Sequence, residues 1–181
     1  MGTIGKRQSI TNKTEEPTLW ADVNDILKDL HTRGYINDCV VDIKKIIEDN
    51  GIRIIYDDSL PSSTSGYLKK VSDKKWVIVV NKNHNPKRQR FTLAHELGHY
   101  ILHKNEDTCF EDSILFRDDH VSPLEYSANR FAAELLMPSE LITQSIKRGS
   151  TTLEELADKF QVSVLAVKQR ILTLGYQLRH E

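Results

Sequence analysis

The chain has 181 residues, of which 39% are hydrophobic, 7% aromatic and 28% charged, with a formal net charge of −1. This length admits one compact domain with at most a small appended unit. The near-neutral charge excludes the broad basic field of a molecule built mainly to bind nucleic acid. Two cysteines without paired spacing, Cys39 and Cys109, exclude a disulfide scaffold or a cysteine zinc ribbon and read as reduced thiols of a cytoplasmic protein.

Residues 1–18 are polar and read as a flexible leader. Met1–Ile10 lacks an apolar core of signal-peptide length, and no later stretch approaches the roughly 20 apolar residues of a membrane span. Lys6 stands where a myristoylation signal needs Ser or Thr. Leu19, Val23, Ile26, Leu27 and Leu30 then recur at helical spacing, and a second helix is predicted over Val40–Asp49, ending at Asn50-Gly51. Ile52–Tyr56, Gly66–Val71 and Trp76–Val80 read as strands of a small, mainly antiparallel sheet. Asn81–Lys87, with Pro86, marks the switch to a helix over Arg88–His103.

After a mixed, mostly irregular stretch Cys109–Ser122, a helix is predicted from Pro123 to Leu136, with proline favourable in its first turn. Pro138 closes a core of residues 19–138. Residues 139–181 form a C-terminal helical unit with helices over Glu140–Lys147, Thr152–Phe160 and Ser163–Leu174. Thr151 or Thr152, with Glu154 or Glu155 three residues on, reads as a capping box.

The string His95-Glu96-Leu97-Gly98-His99 places two imidazoles one helical turn apart on one face, the separation at which both can reach one ion. Zinc takes imidazole nitrogen at roughly 2.0–2.1 Å and, in catalytic sites, three protein ligands with one position left for water. Glu96 can then take a proton from that water as general base. A solvated stripe of His and Glu is the bland alternative. Gly98 speaks against it, because glycine costs about 1 kcal/mol inside a helix unless something approaches its backbone closely.

For the third ligand the chain offers Glu125, His103, Cys109, His120 and the pair Asp118-Asp119. His103 extends the same straight helix by another turn, and three histidines in a row cannot cap one ion. Glu125 lies on the next helix, among small residues that allow close approach. Asn129 follows one turn later, where its carbonyl could accept a ring N–H from His95 or His99.

These residues carry a resemblance. Gly66-Tyr67, Val79-Val80-Asn81, Arg90 through His103, Glu125 through Ala133 and Leu135-Leu136-Met137-Pro138 together resemble the ImmA/IrrE family of metallopeptidases, a gluzincin-like group. The resemblance implies an α+β, zincin-like fold with one zinc per chain on His95, His99 and Glu125, and with Glu96 catalytic. It departs at Asn129, where the family pattern often carries Asp. It implies as substrate a helix-turn-helix transcriptional repressor, often encoded nearby, whose cleavage relieves repression in a mobile-element or stress response.

Tyr100, His103, Tyr126 and His120 are candidate oxyanion or substrate donors. Trp76, Val77, Ile78, Val79 and Val80, just ahead of the metal helix, are read as an edge strand that could hold an extended peptide. The C-terminal unit resembles a helix-turn-helix, with Lys168, Gln169 and Arg170 on its second helix, and so raises DNA contact as a rival function. Its surplus of only two cations from Thr143 onward is thin for phosphate neutralisation. A third reading is a toxin-like or sequestering protein that keeps the zinc fold and acts by binding alone.

Overall fold

A computed structural model describes residues 2–7, 28, 31–72, 75–103, 110–112 and 122–180. The chain divides into two compact units, Asp42–Ala132 and Met1–Val41 with Ala133–Glu181. Most of the helix expected over Leu19–Leu30, and residues 8–18 of the expected leader, lie outside the described residues. Among the described residues no helix is long and apolar enough to cross a membrane.

The unit Met1–Val41 with Ala133–Glu181 holds strands β1 (Gly2–Arg7), β2 (Ile36–Asn37) and β3 (Val40–Val41). Val40 and Val41 thus form a strand pair with Ile36 and Asn37 rather than starting a helix. The valines are β-branched, and Asp42, whose Oδ1 accepts the Lys45 N–H at 3.2 Å, sets the helix start one residue later.

The unit Asp42–Ala132 begins with α1 (Ile43–Asp49), which buries Ile43, Ile46 and Ile47 and ends at Gly51, whose φ of 70° suits glycine. Strands β4 (Ile52–Asp57), β5 (Gly66–Ser72), β6 (Lys75–Asn81) and β7 (Phe110–Asp112) form one sheet in the order β4-β6-β5-β7. The sheet is mixed: two of its three pairings are antiparallel, in line with the mainly antiparallel expectation, and one is parallel. β5 pairs antiparallel with β6 and β7, but β4 pairs parallel with β6, Ile52 opposite Trp76 and Asp57 opposite Asn81.

The same order corrects the edge assignment of Trp76–Val80. β6 is an interior strand, hydrogen-bonded on both sides, and among the described residues the edges are β4 and β7. The physical reason is legible in the run Trp-Val-Ile-Val-Val: a strand covered on both faces tolerates continuous apolar sequence, whereas an edge strand needs polar interruption.

Helix α2 (Pro86–His103) follows. Pro86 opens its first turn and the Asn85 side chain accepts the Arg88 N–H at 2.9 Å. Helix α3 (Pro123–Leu136) starts the same way, with Ser122 Oγ accepting the Glu125 N–H at 3.2 Å. Then come α4 (Ser139–Lys147), α5 (Leu153–Lys159), α6 (Val164–Thr173) and β8 (Tyr176–His180). α5 is opened by a full capping box between Thr152 and Glu155, and α6 by Ser163. β8 pairs antiparallel with β1, so Gly2–Arg7 of the expected leader is a strand.

Candidate metal centre

Helix α2 presents His95 and His99 one turn apart, both fully buried. Their Nε2 atoms lie 3.0 Å from each other, with the rings nearly perpendicular at a centroid distance of 4.6 Å. Glu125, from α3, reaches both: Oε2 is 3.1 Å from His95 Nε2 and Oε1 is 3.2 Å from His99 Nε2.

Helix–helix proximity makes this meeting possible. A Cβ on Gly98 would come within 3.1 Å of the Phe131 ring, 3.2 Å of Ala128 Cα and 3.2 Å of Ala128 O. Between His95 and His99, therefore, α2 lies against the backbone of α3, and only glycine fits without displacement. The expectation drawn from Gly98 holds, and Ala128 is the small residue that receives it.

The cluster's electrostatics follow from these contacts. Hydrogen bonding to His95, then to His99, holds the Glu125 carboxyl well below the usual carboxylate range. Partial burial opposes that shift without overcoming it. Two ring nitrogens and a carboxylate that stays ionised form a donor set suited to a divalent cation. Their separations of 3.0–3.2 Å are close to the roughly 3.3 Å between two ligands of a tetrahedral ion with bonds of about 2.0–2.1 Å. The three residues can hold a metal ion, and no second such group occurs among the described residues.

Glu96, next to His95 on α2, is fully buried. Asn129 lies one turn beyond Glu125. Its Oδ1 is buried and forms no hydrogen bond, so the bond expected to an imidazole is not made here. Tyr100 sets its ring edge-to-face on Trp76 of β6, centroids 5.7 Å apart. Tyr126 is 62% exposed beside Glu125. The His103 side chain, Cys109, Asp118, Asp119 and His120 lie outside the described residues.

Arg170, one of the residues behind the rival reading of DNA contact, is 4% exposed. Its Nε donates to Met137 O at 3.0 Å and its Nη1 lies 3.5 Å from Glu134 Oε1, which is also buried. The signal was available: Arg170 falls three residues after Val167 and beside Ile171, on the buried stripe of α6.

Comparison with known proteins agrees with this geometry. Residues 47–172 match a peptidase family described as the IrrE N-terminal-like domain. The chain is 37% identical over 91 residues to the radiation response metalloprotease IrrE of Deinococcus radiodurans, covering 48% of this chain and 28% of that protein. It is 29% identical over 100 residues to the metallopeptidase ImmA of Bacillus subtilis, covering 54% and 57%. It is 40% identical over 81 residues to an uncharacterized immunity region protein of Bacillus phage phi105, covering 44% and 49%. The matched segment thus spans less than two thirds of each relative. With a family match over most of its length, and with His95 and His99 of α2 and Glu125 of α3 brought together, this chain belongs to the ImmA/IrrE family of metallopeptidases.

Proposed function

We propose that the chain is a zinc-dependent endopeptidase that cuts a protein partner, with His95, His99 and Glu125 as ligands and Glu96 as general base. The observation that carries this reading is the convergence of both Nε2 atoms and the Glu125 carboxylate within 3.2 Å. A bound zinc supplies Lewis-acid polarisation of the scissile carbonyl and lowers the pKa of water. Glu96 takes a proton from the attacking water and delivers it to the leaving amine, and its burial keeps bulk solvent from competing for that proton. Tyr126, exposed and next in sequence to Glu125, is a candidate donor to the substrate. Among the described strands β7 is an edge of the sheet that α2 packs against through β5 and β6, and an extended peptide added there would be held by backbone pairing.

The partner we propose is a helix-turn-helix transcriptional repressor encoded nearby, cut to relieve repression. Likeness to a phage immunity region protein supports this class. The DNA-binding alternative loses one of its two cations on α6, since Arg170 is buried against Glu134 and Met137, and Lys168 alone is too little for phosphate neutralisation. Incubation with the adjacent gene's product, with and without chelator, tests the reading by mass spectrometry of fragments. Chelator-sensitive cleavage at defined bonds is the expected result. An intact partner in the presence of one bound zinc per chain would count against proteolysis.

A further inference from the structure

The turn from β6 into α2 is held by side-chain amides. Asn81, fully buried at the end of β6, donates from Nδ2 to the carbonyls of Pro61 at 2.9 Å, Thr64 at 2.9 Å and Leu60 at 3.3 Å. Its Oδ1 accepts the Asn83 N–H at 2.9 Å, and its own N–H donates to Ser65 O at 2.9 Å. In the first turn of α2, Gln89 Nε2 donates to the carbonyls of Asn81 at 3.1 Å, Lys82 at 2.9 Å and His84 at 2.9 Å. Arg88 joins from Nη2 and Nε to Ser65 Oγ at 2.9 and 3.2 Å. Two amides thus reach six carbonyls, sharing their four N–H hydrogens among them, and a part-buried network of this kind favours one conformation of both chain segments.

The segment it grips leads into Gly66, where a Cβ would come 2.5 Å from Val79 O and 2.7 Å from Thr92 Cγ2. Thr92 lies one turn before Glu96 on the same helical face. The amide hub and this close contact therefore set the position at which α2 crosses the sheet. α2 carries two of the three ligands and the general base, while Glu125 comes from another helix. A site divided in this way works only if each helix is held to a fraction of an ångström.

We propose that Gln89 and Asn81 are positioning residues for the metal centre, acting through the placement of α2. The proposal rests on the reading of His95, His99 and Glu125 as ligands. It is tested with Co(II) as probe on the full chain, in wild type, Gln89→Met, Gln89→Lys and Asn81→Ser. Visible absorption, chelator competition and a thermal melt are read on each protein.

Gln89→Met keeps the shape and removes the donors. It is expected to stay folded at the assay temperature, shift the visible bands and weaken Co(II) binding about 10-fold. Gln89→Lys puts N–H donors, three in place of the amide's two, back within reach of the carbonyls and is expected to return affinity to within about threefold of wild type. Asn81→Ser is expected to lose at least as much as Gln89→Met; should it fail to fold, the Gln89 pair decides. A lower Tm for Gln89→Met with wild-type spectrum and affinity would show that the hub only supports the fold, and would overturn the proposal, as would failure of lysine to recover what methionine lost. Wild-type protein that binds no Co(II) would instead overturn the metal reading, and this inference with it.

Discussion

Helix α2 buries Thr92, His95, Glu96 and His99, whereas α6 buries a single charged residue, Arg170. In α6 the buried charge has its own partners, the Glu134 carboxylate of α3 and the Met137 carbonyl. In α2 the two imidazoles instead crowd toward each other and toward a carboxylate from another helix, at distances of 3.0–3.2 Å. A buried cation with its own partners is a structural device. Two ring nitrogens and a carboxylate converging on one point form a group that could hold a cation. The contrast teaches that burial alone does not mark function; the direction in which polar atoms converge does.

The sharpest way to break the contrast is at Glu96. Glu96→Gln is expected to lower the cleavage rate by about 10²–10⁴-fold while metal content stays at one per chain, measured by fragment quantification and elemental analysis. Cleavage at the wild-type rate would remove Glu96 from its role. Arg170→Ala should act on stability instead. Leaving the Glu134 carboxylate buried without its guanidinium costs about 3–5 kcal/mol, read by denaturant unfolding, whereas a DNA-facing Arg170 would give no such loss.

Gly98→Ala adds one methyl into contacts of 3.1–3.2 Å with Phe131 and Ala128. It should destabilise the fold by about 1–3 kcal/mol and weaken metal binding, as the two helices carrying the ligands are pushed apart. Ordinary stability with ordinary affinity would mean that the helices part without consequence.

The smallest effect belongs to the capping box. Glu155 accepts the N–H groups of Thr151 at 2.7 Å and Thr152 at 3.1 Å, which holds its pKa below the ordinary 4.5. Because the folded-state pKa is depressed, this stabilisation is present above 4.5 and fades as pH falls through the lowered value. Glu155→Gln should therefore narrow the Tm difference between pH 7 and acid, and an unchanged difference would assign the acid sensitivity elsewhere.

Much of the site was legible because its parts are local. The His95–His99 spacing, the cost of Gly98 and the prolines opening α2 and α3 all act within a few residues, and the helices appear where the pattern places them. Sheet order was not legible in the same way. Whether β6 pairs with β4, β5 or both depends on contacts between distant segments, although its unbroken apolar run pointed to an interior strand. β7 and β8 were missed because each is defined by a non-local partner, β5 and β1 respectively. For Arg170, charge alone leaves DNA contact and packing both open, and its place on the Val167–Ile171 stripe is the local signal that favours packing.

Metal binding by the purified chain tests the central claim most directly. Equilibrium dialysis against zinc should give one ion per chain, with His99→Ala and Glu125→Ala each weakening affinity at least about 10-fold. Absence of stoichiometric zinc in wild type, or wild-type affinity in both variants, would contradict the account.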